Sequence, residues 1–176
     1  WVDALRFEMG RELARLLNEL AGRAREAGAE VLVRCPDIRL GVPPAALHRA
    51  LANLLANAQR YGGGHTVEIR AEPGAEACRI GVLDRGPGIP DDQLAAVFRP
   101  FHRVESSRSP DTGGAGLGLA IVRQLAQANG WQVWLENRPE GGLAAWISVP
   151  YLPGERQATG QGRRPPITAA GRDSAA

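Results

Sequence analysis

The sequence predicts an α+β domain, a two-layer α/β sandwich whose mixed, mostly antiparallel sheet packs on about three helices. Helical spacing recurs in three stretches, around Leu13–Leu20, Leu47–Ala58 and Leu119–Leu125. Alternating apolar strands come in neighbouring pairs joined by Pro-Gly or Gly-Gly turns, the mark of hairpins. Helices do not alternate with every strand, which argues against a doubly wound parallel sheet.

Trp1 to Phe7 reads as a short strand or lead-in segment. From Glu8 to Gly28 the residues Leu13, Leu16, Leu17 and Leu20 form the stripe of an amphipathic helix, and Gly28 stops it. Glu30 to Arg34 alternates around Val31 and Val33 as a strand ended by Cys35-Pro36, and Ile38 to Val42 is a second short extended piece. Pro43 and Pro44 open the next helix, where the first turn has no use for the missing N–H. Leu47, Leu51, Leu54, Leu55 and Ala58 give that helix its apolar face, and Gly62-Gly63-Gly64 ends it. Thr66 to Ala71 and Ala77 to Leu83 form a hairpin over Pro73-Gly74. Pro90 to Val97 reads as a short helix.

From Phe98 to Gly116 the pattern dissolves into polar and turn-forming residues, as expected of a loop that moves. Leu117 to Asn129 is a helix with Leu119, Ile121, Val122 and Leu125 inward. Trp131 to Glu136 and Gly142 to Val149 close the domain as a hairpin. Residues 153–176 turn to Gly, Gln, Arg, Pro and Ala without a period, a disordered tail that leaves 1–152 as the single domain.

Bulk properties narrow the classes. A length of 176 residues fits one domain, and an apolar share of 44% is enough for one core. In the tail Arg156, Arg163, Arg164 and Arg172 face only Glu155 and Asp173, which accounts for the net charge of +2. Composition therefore gives no argument for nucleic acid or an anionic membrane. Cys35 and Cys78 have no third metal ligand nearby and read as free thiols in a reducing compartment. No apolar run approaches the ~20 residues that span a bilayer, and no signal peptide opens the chain. The chain reads as soluble, and its start at Trp1 without Met reads as a piece of something longer.

Three constellations carry chemistry. Asn53 and Asn57 are four apart on one helix face, beside the apolar stripe. Two neutral amides there can ligate a hydrated cation or bond phosphate, although alone they fit an ordinary amide bridge better. Asp84 ends a strand before Gly86-Pro87-Gly88. Its carboxylate can accept from an exocyclic amine such as that of adenine while the glycines let a ring lie against backbone; a plain turn explains it equally. Gly114-x-Gly116-x-Gly118 leads into a helix, where N–H groups suit a polyphosphate, or else a hinge. The spacing matches neither a dinucleotide fingerprint nor a P-loop.

In this order the segments resemble the N, G1, F and G2 boxes of the catalytic ATP-binding domain of bacterial sensor histidine kinases, in particular the osmosensor-type kinases. That domain belongs to the wider class shared with gyrase, the ninety-kilodalton heat-shock protein and mismatch-repair MutL proteins. Asn53 to Tyr61 is similar to the N box, Asp84 to Gly88 to G1, Phe98-Arg99-Pro100-Phe101 to the F box and Gly114 to Leu119 to G2. The resemblance implies a Bergerat-type fold with an ATP lid at about 98–116, and ATP and Mg²⁺ as cofactors. It implies that Asn57 holds Mg²⁺, supported by Asn53, and that Asp84 takes the adenine amine in a pocket shaped by Gly86, Gly88 and Ile89. Tyr61 would pack near the base and Arg60 contact phosphate. Gly114, Gly116, Leu117 and Gly118 would cradle the phosphates, with Arg103 a candidate for the γ-phosphate. Arg60 stands where Lys is frequent, Arg85 where Asn is frequent and Ala115 where Thr is frequent; none of these removes a required group.

Asn53 sharpens the reaction. Gyrase-type ATPases and anti-sigma-factor serine kinases carry Glu at the matching position, a general base that an amide cannot replace. A neutral histidine needs no such base, so Asn53 favours histidine phosphorylation over hydrolysis. His48, His65 and His102 do not resemble the family's acceptor box, so the acceptor is expected on a separate dimerisation domain of the same parent kinase. The resemblance further implies a response regulator downstream, no nucleic acid, a monomeric isolated chain, a homodimeric parent and a cytoplasmic domain of a protein anchored in the inner membrane. The alternatives are an ATPase of the same class and a nucleotide-sensing or partner-docking module.

Overall fold

The computed structural model describes residues 2–36, 38, 40–104 and 115–151, with side chains from residue 13 onward. Its elements are α1 (Val2–Glu26), β1 (Val31–Arg34), α2 (Pro44–Tyr61), β2 (Val67–Pro73), β3 (Ala77–Leu83), α3 (Gly118–Ala128), β4 (Gln132–Asn137) and β5 (Leu143–Pro150). The strands form one sheet in the order β1-β2-β3-β5-β4. Only β1 and β2 run parallel, Val31 opposite Val67, and the chain passes through α2 between them. The β2–β3, β3–β5 and β4–β5 pairs are antiparallel. The expected mixed, mostly antiparallel two-layer sandwich is the observed one.

Strand alternation sorts the two faces of the sheet. Ile69, Cys78, Ile80, Val82, Ile147 and Val149 point into one core with Leu13, Leu17 and Leu20 of α1, Leu47, Leu51 and Leu54 of α2, and Val122 of α3. Each fully buried Leu or Ile side chain there contributes about 1.5–3 kcal/mol. The other face carries a charged row, Arg34–Glu68–Arg70–Glu72–Arg79, with contacts of 2.6 to 3.5 Å. Towards β4 the row gives way to Trp146, which lies over Gly81 and stacks on Trp134 at 6.3 Å between ring centroids. A side chain at Gly81 would collide with that indole.

Three segments differ from expectation. The N-terminal residues are helical from Val2, not strand. Leu5 and Met9 precede Leu13 by multiples of four, so the helical period runs through them. Ile38 and Leu40 are buried but belong to no strand, so the extended piece is an irregular segment pinned by two side chains. The expected helix at Pro90–Val97 is two 3₁₀ turns, Asp91–Gln93 and Ala96–Phe98, closed by i→i+3 bonds such as Gln93 N–H to Pro90 O at 2.8 Å. The tail at 153–176 and residues 105–114 of the expected lid lie outside the described residues.

Candidate nucleotide site

The site begins on α2. Burial of Leu47, Leu51, Leu54, Leu55 and Ala58 fixes the rotation of the helix, which leaves Asn53 and Asn57 half-buried at the edge of the core. Asn53 Nδ2 donates to Arg49 O at 2.8 Å, so its Oδ1 is the end free to face outward. Arg60 is exposed and Tyr61 half-buried at the end of the same helix, and all four residues line one cavity of about 640 Å³. That size falls in the ~300–1,000 Å³ range of small-ligand sites.

β3 delivers the opposite wall. Its last residue, Leu83, is followed by Asp84, the one buried charged residue among those described. Asp84 Oδ1 accepts from Gly86 N–H at 2.8 Å and from Leu143 N–H at 3.1 Å. Among the described residues nothing bonds Oδ2, and Asp84 lines the cavity. A buried carboxylate with one oxygen saturated and one open is an acceptor for a ligand N–H. The turn after it comes so close to α2 that a Cβ on Gly86 would stand 2.2 Å from Tyr61 O. Gly88, at φ +75°, carries the chain into Ile89, and both line the cavity.

The third wall is the start of α3. Gly116 has φ +67°, and its carbonyl accepts from Phe101 N–H at 3.0 Å, which joins the two described ends of the segment expected to form a lid. A Cβ on Gly118 would stand 3.4 Å from Oδ1 of both Asn53 and Asn57, so the helix start rests on the amide pair. The leading N–H groups of a helix have no partner within it and carry the positive end of its dipole. Gly116, Leu117 and Gly118 line the cavity there, as do His102 and Arg103 from the segment after the second 3₁₀ turn. His102 Nδ1 is buried without a hydrogen-bond partner among the described residues.

Of the residues expected at the site, Asn53, Asn57, Arg60, Tyr61, Asp84, Gly88, Ile89, Arg103, Gly116, Leu117 and Gly118 come together around this cavity. Gly86 shapes its wall from behind, and Gly114 lies outside the described residues. The expected closing hairpin is present, but the part its β4–β5 turn plays at the site was not foreseen. Arg138 Nη1 donates to Asp84 O at 2.7 Å, and Gly142, at φ +100°, passes so close that a Cβ would stand 2.1 Å from that oxygen. The Gly141-Gly142 pair was the only signal for it, and it reads equally as a simple hairpin turn.

Residues 43–153 match the family described as histidine kinase-, DNA gyrase B-, and HSP90-like ATPase. The sensor protein VanSB of Enterococcus faecalis is 36% identical over 145 residues, which are 81% of this chain and 32% of that protein. The sensor histidine kinase component HK1 of Mycobacterium tuberculosis is 36% identical over 136 residues, 77% of this chain and 79% of the relative. Among solved structures, the mycobacterial sensor histidine kinase MprB superposes with a TM-score of 0.68 at 26% identity, covering 78% of this chain and 93% of that one. The chain thus spans about a third of a relative such as VanSB. These relatives do not single out the osmosensor-type kinases.

Proposed function

Because the chain belongs to the histidine kinase-, DNA gyrase B-, and HSP90-like ATPase family, as the ATP-binding catalytic domain of a two-component sensor histidine kinase, we propose that it binds Mg-ATP in this cavity and phosphorylates a histidine on a separate dimerisation domain. The carrying observation is one of placement. The open Oδ2 of Asp84 and the amide pair under the α3 start line different walls of one cavity, which suits a ligand with an amine-bearing base at one end and phosphates at the other. Asp84 accepts from the exocyclic amine while Tyr61, Gly88 and Ile89 flank the ring. The N–H groups at Gly116, Leu117 and Gly118, and Gly114 beyond them, cradle the phosphates, and Arg60 and Arg103 offset their charge.

Mg²⁺ fits the donor set. Amide oxygens of Asn57 and Asn53 are hard ligands that add no negative charge beside a triphosphate, and Mg²⁺ is commonly held by few protein ligands together with substrate phosphates. When bound there the ion would neutralise charge developing on the phosphates. Among the described residues no cluster of three His, Cys, Asp or Glu offers a cage independent of the nucleotide.

An imidazole nitrogen of the acceptor attacks the γ-phosphorus, and the bond to the β,γ-bridging oxygen breaks with its electrons leaving on ADP. Neutral imidazole presents a lone pair and needs no base, whereas water does. Asn53 supplies none, which favours phosphotransfer over hydrolysis. The catalytic unit is residues 1–152, with 98–116 as the lid and 153–176 outside it. The acceptor sits on the dimerisation domain of the same parent kinase, which passes the phosphoryl group to a response regulator. The isolated chain is a monomer and the parent a homodimer. Among the described residues no helix is long and apolar enough to cross a membrane; the parent's anchor in the inner membrane lies in other segments and holds this domain in the cytoplasm.

Mixing this chain with a dimerisation domain that bears the acceptor, and with γ-labelled ATP, tests the reading. Acid-labile label on that histidine is the expected result. ATP binding with no transfer, and steady ADP release without any acceptor, would replace it with an ATPase.

A further inference from the structure

The β4–β5 turn holds the base end of the cavity from outside. Neither Asn137 nor Arg138 lines the cavity. Yet Asn137, the last residue of β4, is bonded to the wall that does. Its Oδ1 accepts from Ile89 N–H at 3.0 Å, and its Nδ2 donates to Ile89 O at 2.7 Å and to Asp91 Oδ1 at 2.8 Å. One side-chain amide thus meets both backbone groups of Ile89, as a neighbouring strand would. The approach is possible because residue 88 is glycine: a Cβ there would stand 2.5 Å from Asn137 Oδ1. Arg138, with its side chain 11% exposed, ties the adjacent wall through Asp84 O and holds the Glu140 carboxyl below the usual carboxylate range by hydrogen bonding to it. Leu143 N–H completes the set on Asp84 Oδ1.

We propose that Asn137, with Arg138 as its companion, is a positioning residue for base recognition. It fixes the Gly88–Ile89 wall relative to the Asp84 carboxylate, so that Oδ2 meets the exocyclic amine of an adenine ring at hydrogen-bonding distance. A hydrogen bond weakens steeply once its angle and length drift, so a wall that slides along the base removes amine recognition before it removes binding. Asn137 does this as a neutral group, adding no second charge beside Asp84. The inference rests on the ATP-site reading given above.

Its test compares ATP with purine riboside triphosphate, which lacks only the 6-amino group. Dissociation constants for both, by calorimetry, are measured on the parent chain, Asn137→Ala and Asn137→Asp, together with melting temperatures without nucleotide. The parent is expected to favour ATP by about 10- to 100-fold, the value of a hydrogen bond to a charged group. In Asn137→Ala that preference falls about fivefold or more while the amine-free nucleotide still binds. Asn137→Asp keeps the shape but sets a carboxylate against Ile89 O and Asp91, and loses the preference likewise. If Asn137→Ala fails to fold, Arg138→Met, which removes the donor to Asp84 O, takes its place. Equal weakening of both nucleotides, with the ratio unchanged, makes Asn137 merely structural and overturns the proposal. A parent chain with no preference for ATP overturns the adenine-site reading itself, and the two failures are distinct.

Discussion

A Cβ on Gly118 would stand 3.4 Å from Asn57 Oδ1, so the first residue of α3 rests directly on the amide face of α2. The helix start and the amide pair are thereby held at one depth in the cavity. Gly118→Ala is tolerated, since 3.4 Å is close to ordinary contact. Gly118→Val sends its branches over both amides and lowers Mg-ATP affinity by about tenfold or more, ~1.4 kcal/mol. The melting temperature without nucleotide changes little, and titration calorimetry beside thermal melting separates the two effects.

Gly141 and Gly142 form a matched pair. Both have positive φ, +88° and +100°, but a Cβ on Gly141 meets nothing within 4 Å, whereas one on Gly142 meets Asp84 O at 2.1 Å. Gly141→Ala therefore shows the backbone strain alone, about 1–3 kcal/mol. Gly142→Ala loses more stability in denaturant titrations and also loses ATP affinity, because it displaces Asp84.

Asn53→Glu places a general base at the cavity wall. Water-driven ADP release without an acceptor rises, by up to about 10²-fold. A coupled ADP assay reads the change. Unchanged hydrolysis in a variant that still binds ATP would remove the base argument.

Burial pushes the Cys78 thiol from 9.0 up to about 12, since the thiolate is disfavoured in the core. The folded pKa is the higher one, so the stabilisation is complete below pH 9.0 and is lost as pH rises toward 12. Denaturant midpoints of the parent fall across that window, by at most about 1.4 kcal/mol per pH unit. Cys78→Val flattens this limb. The half-buried Cys35 reacts first with a thiol reagent in the native state.

The helices and the β2–β3 hairpin were legible because their patterns are local. Leu47 to Ala58 keeps one helical face, and Cys78, Ile80 and Val82 recur at every second position of β3. The parallel pairing of β1 with β2 was not, because a four-residue strand alternates alike in either direction. At the site, Asn57, Asp84 and Gly118 could be found from side-chain type and spacing along the chain. Asn137 and Arg138 could not: they act 48 and 54 residues away, on backbone atoms that any sequence would supply.

In the proposed binding mode Asp84 Oδ2 receives the adenine amine in this cavity. Asp84→Asn keeps an oxygen for Gly86 N–H and Leu143 N–H but turns an NH₂ donor toward the base. Calorimetric titration of Mg-ATP into the parent chain and into Asp84→Asn measures the difference directly. This binding mode requires single-site binding by the parent chain and affinity weaker by about 10- to 100-fold in the variant. Equal affinity for Mg-ATP in the two proteins would contradict it.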